Sequence, residues 1–226
     1  MIDTALVPRL EELKNDFQKS KPTSMLDAIM MSRESRALVE KNSFALLIAV
    51  IVDQSVKSEV AWNLPHSLLN RIGKDHFNPE WMMNHSERVR DAIAQKPALH
   101  RFPGKMAEYI TSLSTIIVHE YQSPDRFLTN SLDYFVFVNN LKSVSGISDK
   151  KANFLFLILT LDFHFAFDHV DNSAVLFDAH LEKWLTQLLN KKVTKGEANE
   201  ICNFVSPDNP ALLCPYIWHL DRLSKA

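Results

Sequence analysis

Apolar positions recur with a helical period along almost the whole chain. Residues 5–18 place Leu6, Leu10, Leu13 and Phe17 between charged positions, which predicts an amphipathic helix on the flank of a domain. Lys19–Thr23 reads as a polar linker containing Pro22. Ser24 is then expected to cap a second helix to about Glu40, with Met25, Ile29, Met30 and Leu38 as core filler. The run from Phe44 to Val52 is apolar on every side, so a helix there is buried all round. Asn42 or Ser43 caps it, and it stops abruptly at Asp53-Gln54-Ser55. Ser58–Ile72 continues as a helix interrupted by Pro65, with Gly73 as its C-cap. Short helical turns follow at Asn78-Pro79 and Ser86–Gln95, and a rigid turn, His100-Arg101-Phe102-Pro103-Gly104, leads into a helix over Lys105–Tyr121. Leu132–Val144, the apolar Ala152–Asp162, the segment with Leu181, Trp184, Leu185, Leu188 and Leu189, and the tail segments Thr194–Val205 and Pro210–Leu223 complete an all-α pattern.

Between two of these helices lies Val144-Ser145-Gly146-Ile147-Ser148-Asp149-Lys150-Lys151-Ala152-Asn153. Val144 closes one helix, Gly146 supplies a turn that a Cβ would hinder, and Ser148 is placed to cap a helix starting at Asp149. Helices joined by so short a turn form a hairpin, whose backbone amides point outward beside a helix N-terminus. That is an anion site, and phosphate is the obvious occupant. Lys150 stands in the first turn of the second helix. The macrodipole there disfavours its charge while Asp149 favours it, so it reads either as a nucleophilic amine or as a solvated side chain. Asp178, just before an amphipathic helix, is an N-cap or a carboxylate with chemistry to do, and His180 follows in the first turn. Arg101 and Lys105 are candidate phosphate contacts or simply solvated cations. Trp62, Phe44 and Trp184 read as core side chains before they read as stacking platforms.

Composition narrows the picture only a little. The chain has 226 residues, enough for one domain or two small lobes. Its formal net charge of −2 means that any nucleic-acid surface must be a local basic face. Two cysteines, Cys202 and Cys214, are too few for a disulfide framework and too far apart for a metal knuckle. Asp168, His169 and Asp171 look superficially like metal ligands, but no matching cluster occurs elsewhere, so neither a metal nor another cofactor is expected. Met1-Ile2-Asp3 does not open a signal peptide, and the apolar runs are too short to span a bilayer, so a cytoplasmic placement is expected.

The hairpin, the lysine behind it and the later Asp-x-His together resemble the helix-hairpin-helix base-excision DNA glycosylases of the endonuclease III type. In that family the hairpin reads Leu-Pro-Gly-Val-Gly-x-Lys-x-Ala and the later segment Val-Asp-x-His-Val. Gly146, Ile147, Lys150 and Ala152 fall on the first pattern, and Asp178, His180 and Leu181 on the second. Ser145 replaces the usual proline and Ser148 the second glycine. Lys150 and Asp178 are further apart than in compact members, so a loop near Asp162–Asn172 must bulge out; Asp168 is the rival for the aspartate, but it lacks the x-His before an amphipathic helix. Many relatives carry a four-cysteine iron–sulfur loop, which a chain with two cysteines cannot build.

The resemblance implies a two-lobed helical glycosylase fold in one unit of 1–226. Residues of about 42–144 would form one lobe; 1–41 and 145–226 would supply the other and the hairpin. It implies double-stranded DNA with a damaged or modified base as partner, no membrane, a monomer, and association with the nucleoid. It implies Lys150 and Asp178 as catalytic residues, with Lys150 forming a Schiff base and giving AP lyase activity. Gln54, at the end of the buried helix, would fill the gap left by the flipped nucleotide, and Gly146, Ile147, Ser148, Arg101 and Lys105 would hold the backbone. A structural monovalent cation at the hairpin would be compatible with it. The rivals are a binding-only helix-hairpin-helix protein and a helical interaction protein without a nucleic-acid role.

Overall fold

The structure is a computed structural model that describes residues 4–20 and 23–223; Pro22 of the expected linker and the Met1-Ile2-Asp3 start lie outside them. It is all-α. Thirteen α-helices follow in order among the described residues: α1 (Val7–Lys19), α2 (Arg33–Lys41), α3 (Ser43–Val52), α4 (Ser58–Ile72), α5 (Pro79–Asn84), α6 (Ser86–Ala94), α7 (Pro103–Ile116), α8 (Pro124–Thr129), α9 (Tyr134–Lys142), α10 (Asp149–Leu161), α11 (Ala179–Leu189), α12 (Lys195–Val205) and α13 (Leu213–Leu223). No described helix is long and apolar enough to cross a membrane.

The chain forms two compact units. The first takes the described residues up to Ala28, Leu132–Phe135 and those from Asn153 onward; the second takes Ile29–Ser131 and Val136–Ala152. The hairpin therefore belongs with the central helices, and the border falls beyond it at Ala152 rather than near 144.

The second unit is built around α3. Every residue from Phe44 to Val52 is buried, and each large aliphatic side chain contributes about 2 kcal/mol by leaving water. Helices α2, α4, α7 and α8 pack around it, and α5 and α6 pack on α7. Of the two candidate caps, Asn42 is the one used: its side chain accepts from Ala45 N–H at 2.9 Å. Pro65 does not interrupt α4, which runs unbroken through it. The expected helix from Ser24 to Glu40 is not formed as one piece. Asp162 takes the Ser24 hydroxyl and the Met25 amide, which holds a short 3₁₀ turn at Leu26–Ala28, and Ser32 caps a new helix by accepting from Ser35 N–H at 3.1 Å. The helix after the Phe102-Pro103-Gly104 turn starts at Pro103, and its last turn is wound as a π-helix, Ile117–Tyr121, closed by Gln122 at φ +66°. Helix α8, capped by Ser123, had no sequence expectation.

The first unit packs Leu10 and Leu13 of α1 against Leu181, Leu185 and Leu189 of α11, Ile201 and Val205 of α12, and Leu213 and Ile217 of α13. Thr194 and Glu197 form a reciprocal capping box at the start of α12. Both cysteines are buried thiols, and burial pushes Cys202 up to about 12.

Candidate nucleic-acid interface

The hairpin forms as its residue types dictate. Helix α9 ends at Lys142, Ile147 N–H bonds back to Val144 O at 3.1 Å, and Gly146 sits at φ +91°. Two facts make glycine necessary there. The left-handed backbone strains any residue with a Cβ, and a Cβ would lie 2.5 Å from Cδ2 of Tyr109 on α7. Ser148 caps α10 by accepting from Lys151 N–H at 3.4 Å. Among the described residues, the backbone N–H groups of Ser148 and Lys150 have no acceptor, so the start of α10 presents donors to solvent. Lys142 pairs with Asp149 at 2.7 Å and offsets that carboxylate.

The C-terminal end of α3 meets the hairpin within the same unit. Asp53, half-buried, accepts from Trp62 Nε1–H at 3.1 Å, and its carboxyl is pushed above the usual range by burial, against that hydrogen bond and the charges of Lys151, Lys150 and His100. Gln54 is exposed, and Ser55 adopts φ +57°. His100, 2% exposed, holds this bend from the other side. Its Nδ1 accepts from Phe102 N–H at 3.1 Å, which leaves Nε2–H to donate to Gln54 O at 3.2 Å. That geometry fixes one neutral tautomer, and burial pulls the imidazole below its ordinary value.

A depressed histidine pKa makes the unfolded chain bind the proton first. The stability from His100 is therefore complete above about pH 6.5 and is lost as pH falls from there toward the folded-state value. We expect the urea midpoint of the wild type to drop between pH 7 and pH 5 more than that of His100→Gln; equal slopes would remove His100 as the source.

The basic candidates take separate positions. Arg101 is exposed, lies 4.7 Å over the Phe102 ring and reaches Ser55 O at 3.5 Å. Lys105 is exposed, pairs with Glu108 at 3.1 Å and sits 5.0 Å over the Tyr109 ring. Phe102 adds an aromatic ring, 44% exposed, beside Gln54's loop, a position outside the candidates read from the sequence. Its signal was there: a large apolar residue in a polar, proline-containing turn.

The lysines divide sharply. Lys150 is exposed in the first turn of α10. Lys151 is half-buried, and its ammonium donates to Ile51 O at 2.6 Å and Gly146 O at 2.9 Å, with Gln54 Oε1 at 3.5 Å. Burial pulls Lys151 down to about 8, opposed by the Asp53 charge. Nothing local distinguishes the two; only the approach of α3, a hundred residues earlier, does.

In the first unit, Asp178 is the N-cap of α11, with Oδ1 accepting from Leu181 N–H at 2.9 Å. The strand of chain before it is anchored firmly. Tyr134 hydroxyl donates to Asn153 Oδ1 at 2.6 Å and accepts from Ala174 N–H at 2.6 Å, and Ser173 hydroxyl donates to Asn209 Oδ1 at 2.9 Å. His180 pairs with Asp221 at 3.2 Å. Asp168 is used differently: its backbone bridges to Asp133, and His169, at φ +56°, bonds the Asp133 carboxylate at 2.5 Å. Among the described residues no three His, Cys, Asp or Glu side chains gather as a metal site. Trp62 and Phe44 are buried core residues, and Trp184 packs partly buried on the first unit's core.

No protein-family model matches the sequence, and no curated protein matches it. Among solved structures, the chain is similar to a trapped endonuclease III–DNA covalent intermediate in its estranged-adenine complex. Identity is 16%, 94% of this chain and 86% of that one are covered, and the TM-score is 0.47.

Proposed function

We propose that the protein is a DNA glycosylase that flips a damaged or modified nucleotide out of duplex DNA and removes its base, with AP lyase activity through Lys150. The observation that carries this reading is the hairpin itself: a left-handed glycine packed on an aromatic ring, unpaired amides at the start of α10, and Gln54 held beside it at the mouth of a buried helix. In this reading the amides of Ser148 and Lys150 grip a backbone phosphate, with Gly146 and Ile147 shaping the turn and Arg101 and Lys105 adding contacts along the strand. Gln54 fills the space of the extruded nucleotide, whose removal from the stack costs a few kcal/mol and is easiest at damaged sites.

The chemistry then follows. Asp178, with Oδ1 engaged in its cap, keeps Oδ2 to stabilise positive charge growing on the sugar as the glycosidic bond loosens. Once deprotonated, the Lys150 amine attacks the anomeric carbon, the base leaves with the bonding pair and takes up a proton, and ring opening gives an imine between lysine and sugar. Elimination at the 3′ side cleaves the strand, and water releases the lysine. No metal takes part in these steps. At the hairpin, the Lys151 ammonium already supplies positive charge to Gly146 O, so a structural monovalent cation there would have to share that carbonyl.

A panel of duplexes with single oxidised purines, oxidised pyrimidines, uracil or alkylated adenine tests the proposal: base release from at least one is expected, and release from none rejects it. On the substrate so found, Asp178→Asn is expected to slow excision about 10²- to 10³-fold with duplex affinity kept. Undiminished turnover removes Asp178 from the mechanism. Gln54→Ala is expected to weaken binding to lesion-containing duplex by about tenfold and to abasic product less; equal losses remove the wedge role.

One observation favours a second reading, a binding-only helix-hairpin-helix protein: Lys150 lies exposed, without the burial that readies an amine for attack. That protein would bind duplex with steep salt dependence, release no base and form no covalent adduct.

A further inference from the structure

We infer that Lys151 is a positioning residue, whose ammonium ties the hairpin and Gln54 to the end of α3 in one fixed register. An ammonium has three N–H donors, and three oxygens from two segments, the end of α3 and the hairpin, surround this one: Ile51 O, Gly146 O and Gln54 Oε1, at 2.6, 2.9 and 3.5 Å. Ile51 O is one of the last four carbonyls of α3, which have no partner within the helix and carry the negative end of its dipole. Lys151 therefore acts as a C-cap supplied from a distant part of the chain. The same ammonium closes the hairpin through Gly146 O, and Tyr109, whose ring packs on Gly146, lies 6.0 Å below the charge. His100 fixes the backbone of Gln54 by donating to its carbonyl, so the glutamine is held at main chain and side chain alike.

The groups around the amine set its response to pH. Asp53 at the end of α3 favours the charge, whereas burial disfavours it and holds the amine near 8. Lys150 on the same helix and His100 on the facing turn also act on Asp53, and Tyr109 contributes its ring face from α7. Raising the pH through 8 toward 10 removes the third N–H and the charge, and the tie slackens. A side chain whose only role was to fill space would be insensitive to that change.

The tie itself is a property of the free protein; its effect on recognition rests on the proposed reading of the hairpin and Gln54 as DNA contacts. The test compares wild type, Lys151→Met and Lys151→Arg as full chains, by amide hydrogen exchange without DNA and by affinity for a duplex with an abasic site, both from pH 7 to pH 10. In Lys151→Met, exchange at the hydrogen-bonded amides of Ile147 and Gln54 is expected to speed up by about tenfold or more, with α11–α13 unchanged. Affinity is expected to fall by about tenfold. In the wild type, corrected for intrinsic rates, the same amides are expected to loosen as pH rises above 8, and Lys151→Arg, charged throughout, to stay flat. Unchanged hairpin exchange in a folded Lys151→Met protein overturns the inference. Should that variant fail to fold, a wild-type hairpin whose protection ignores pH 8–10 overturns it instead. Faster hairpin exchange together with weak, salt-insensitive duplex binding by the wild type supports the tie and rejects the nucleic-acid reading.

Discussion

Lys150→Ala is expected to leave no borohydride-trapped adduct on duplex carrying a damaged base or an abasic site, while affinity for that duplex falls no more than about tenfold. The expectation separates covalent chemistry from grip. Borohydride reduces the imine between lysine and sugar to a stable secondary amine, so the adduct reports which nitrogen attacked. Phosphate contact at the hairpin comes mainly from backbone donors, which alanine retains. Lys151, one residue on, cannot substitute at neutral pH. Its amine near 8 is mostly protonated there, and its donors are engaged with Ile51 O, Gly146 O and Gln54 Oε1. Lys151→Met is therefore expected to trap at a reduced rate. Trapping that survives Lys150→Ala and vanishes in Lys151→Met would exchange the two roles, and would falsify both assignments at once.

The second large effect is expected for Gly146→Ala. An alanine at φ +91° must either accept backbone strain or leave the left-handed region, and its Cβ would sit 2.5 and 2.6 Å from two carbons of the Tyr109 ring. Together these cost about 2 kcal/mol or more. For a chain of this size that corresponds to a fall in Tm of roughly 4–8 °C. The hairpin carbonyl that receives Lys151 moves as well, so duplex affinity is expected to drop by about ten- to a hundredfold. Gly104→Ala is the matched control, because a Cβ there meets nothing within 4 Å and the backbone is ordinary. Adding Tyr109→Ala to Gly146→Ala should restore part of the lost stability by removing the clash, leaving only the strain. A Gly146→Ala protein as stable as wild type would mean that the turn is looser than these contacts require.

The two results bear on different levels of the molecule. The hairpin was legible in the order Val144, Gly146, Ser148, because turn and cap chemistry act over a few residues and leave their mark in residue types. The buried α3 was legible for the same reason: nine consecutive apolar positions have no solvent-facing solution. The cap at Asp178 and the C-cap at Gly73 were local too, and both form. Where a distant group competed, local signals misled. Ser24 has the chemistry of a helix cap, but Asp162 claims it and the helix starts afresh at Ser32. Pro65 has the chemistry of a break, yet α4 continues through it with the ring buried.

The amino-acid sequence by itself determined the helical class, the turn and the capped helix starts, since periodicity and backbone preference are properties of neighbouring residues. Tertiary structure alone decided which of two adjacent lysines is half-buried, which tautomer His100 holds and which oxygens take the Lys151 ammonium. Each of those depends on the desolvation and hydrogen bonds supplied by α3 and the turn before α7, segments brought alongside the hairpin only when the chain packs.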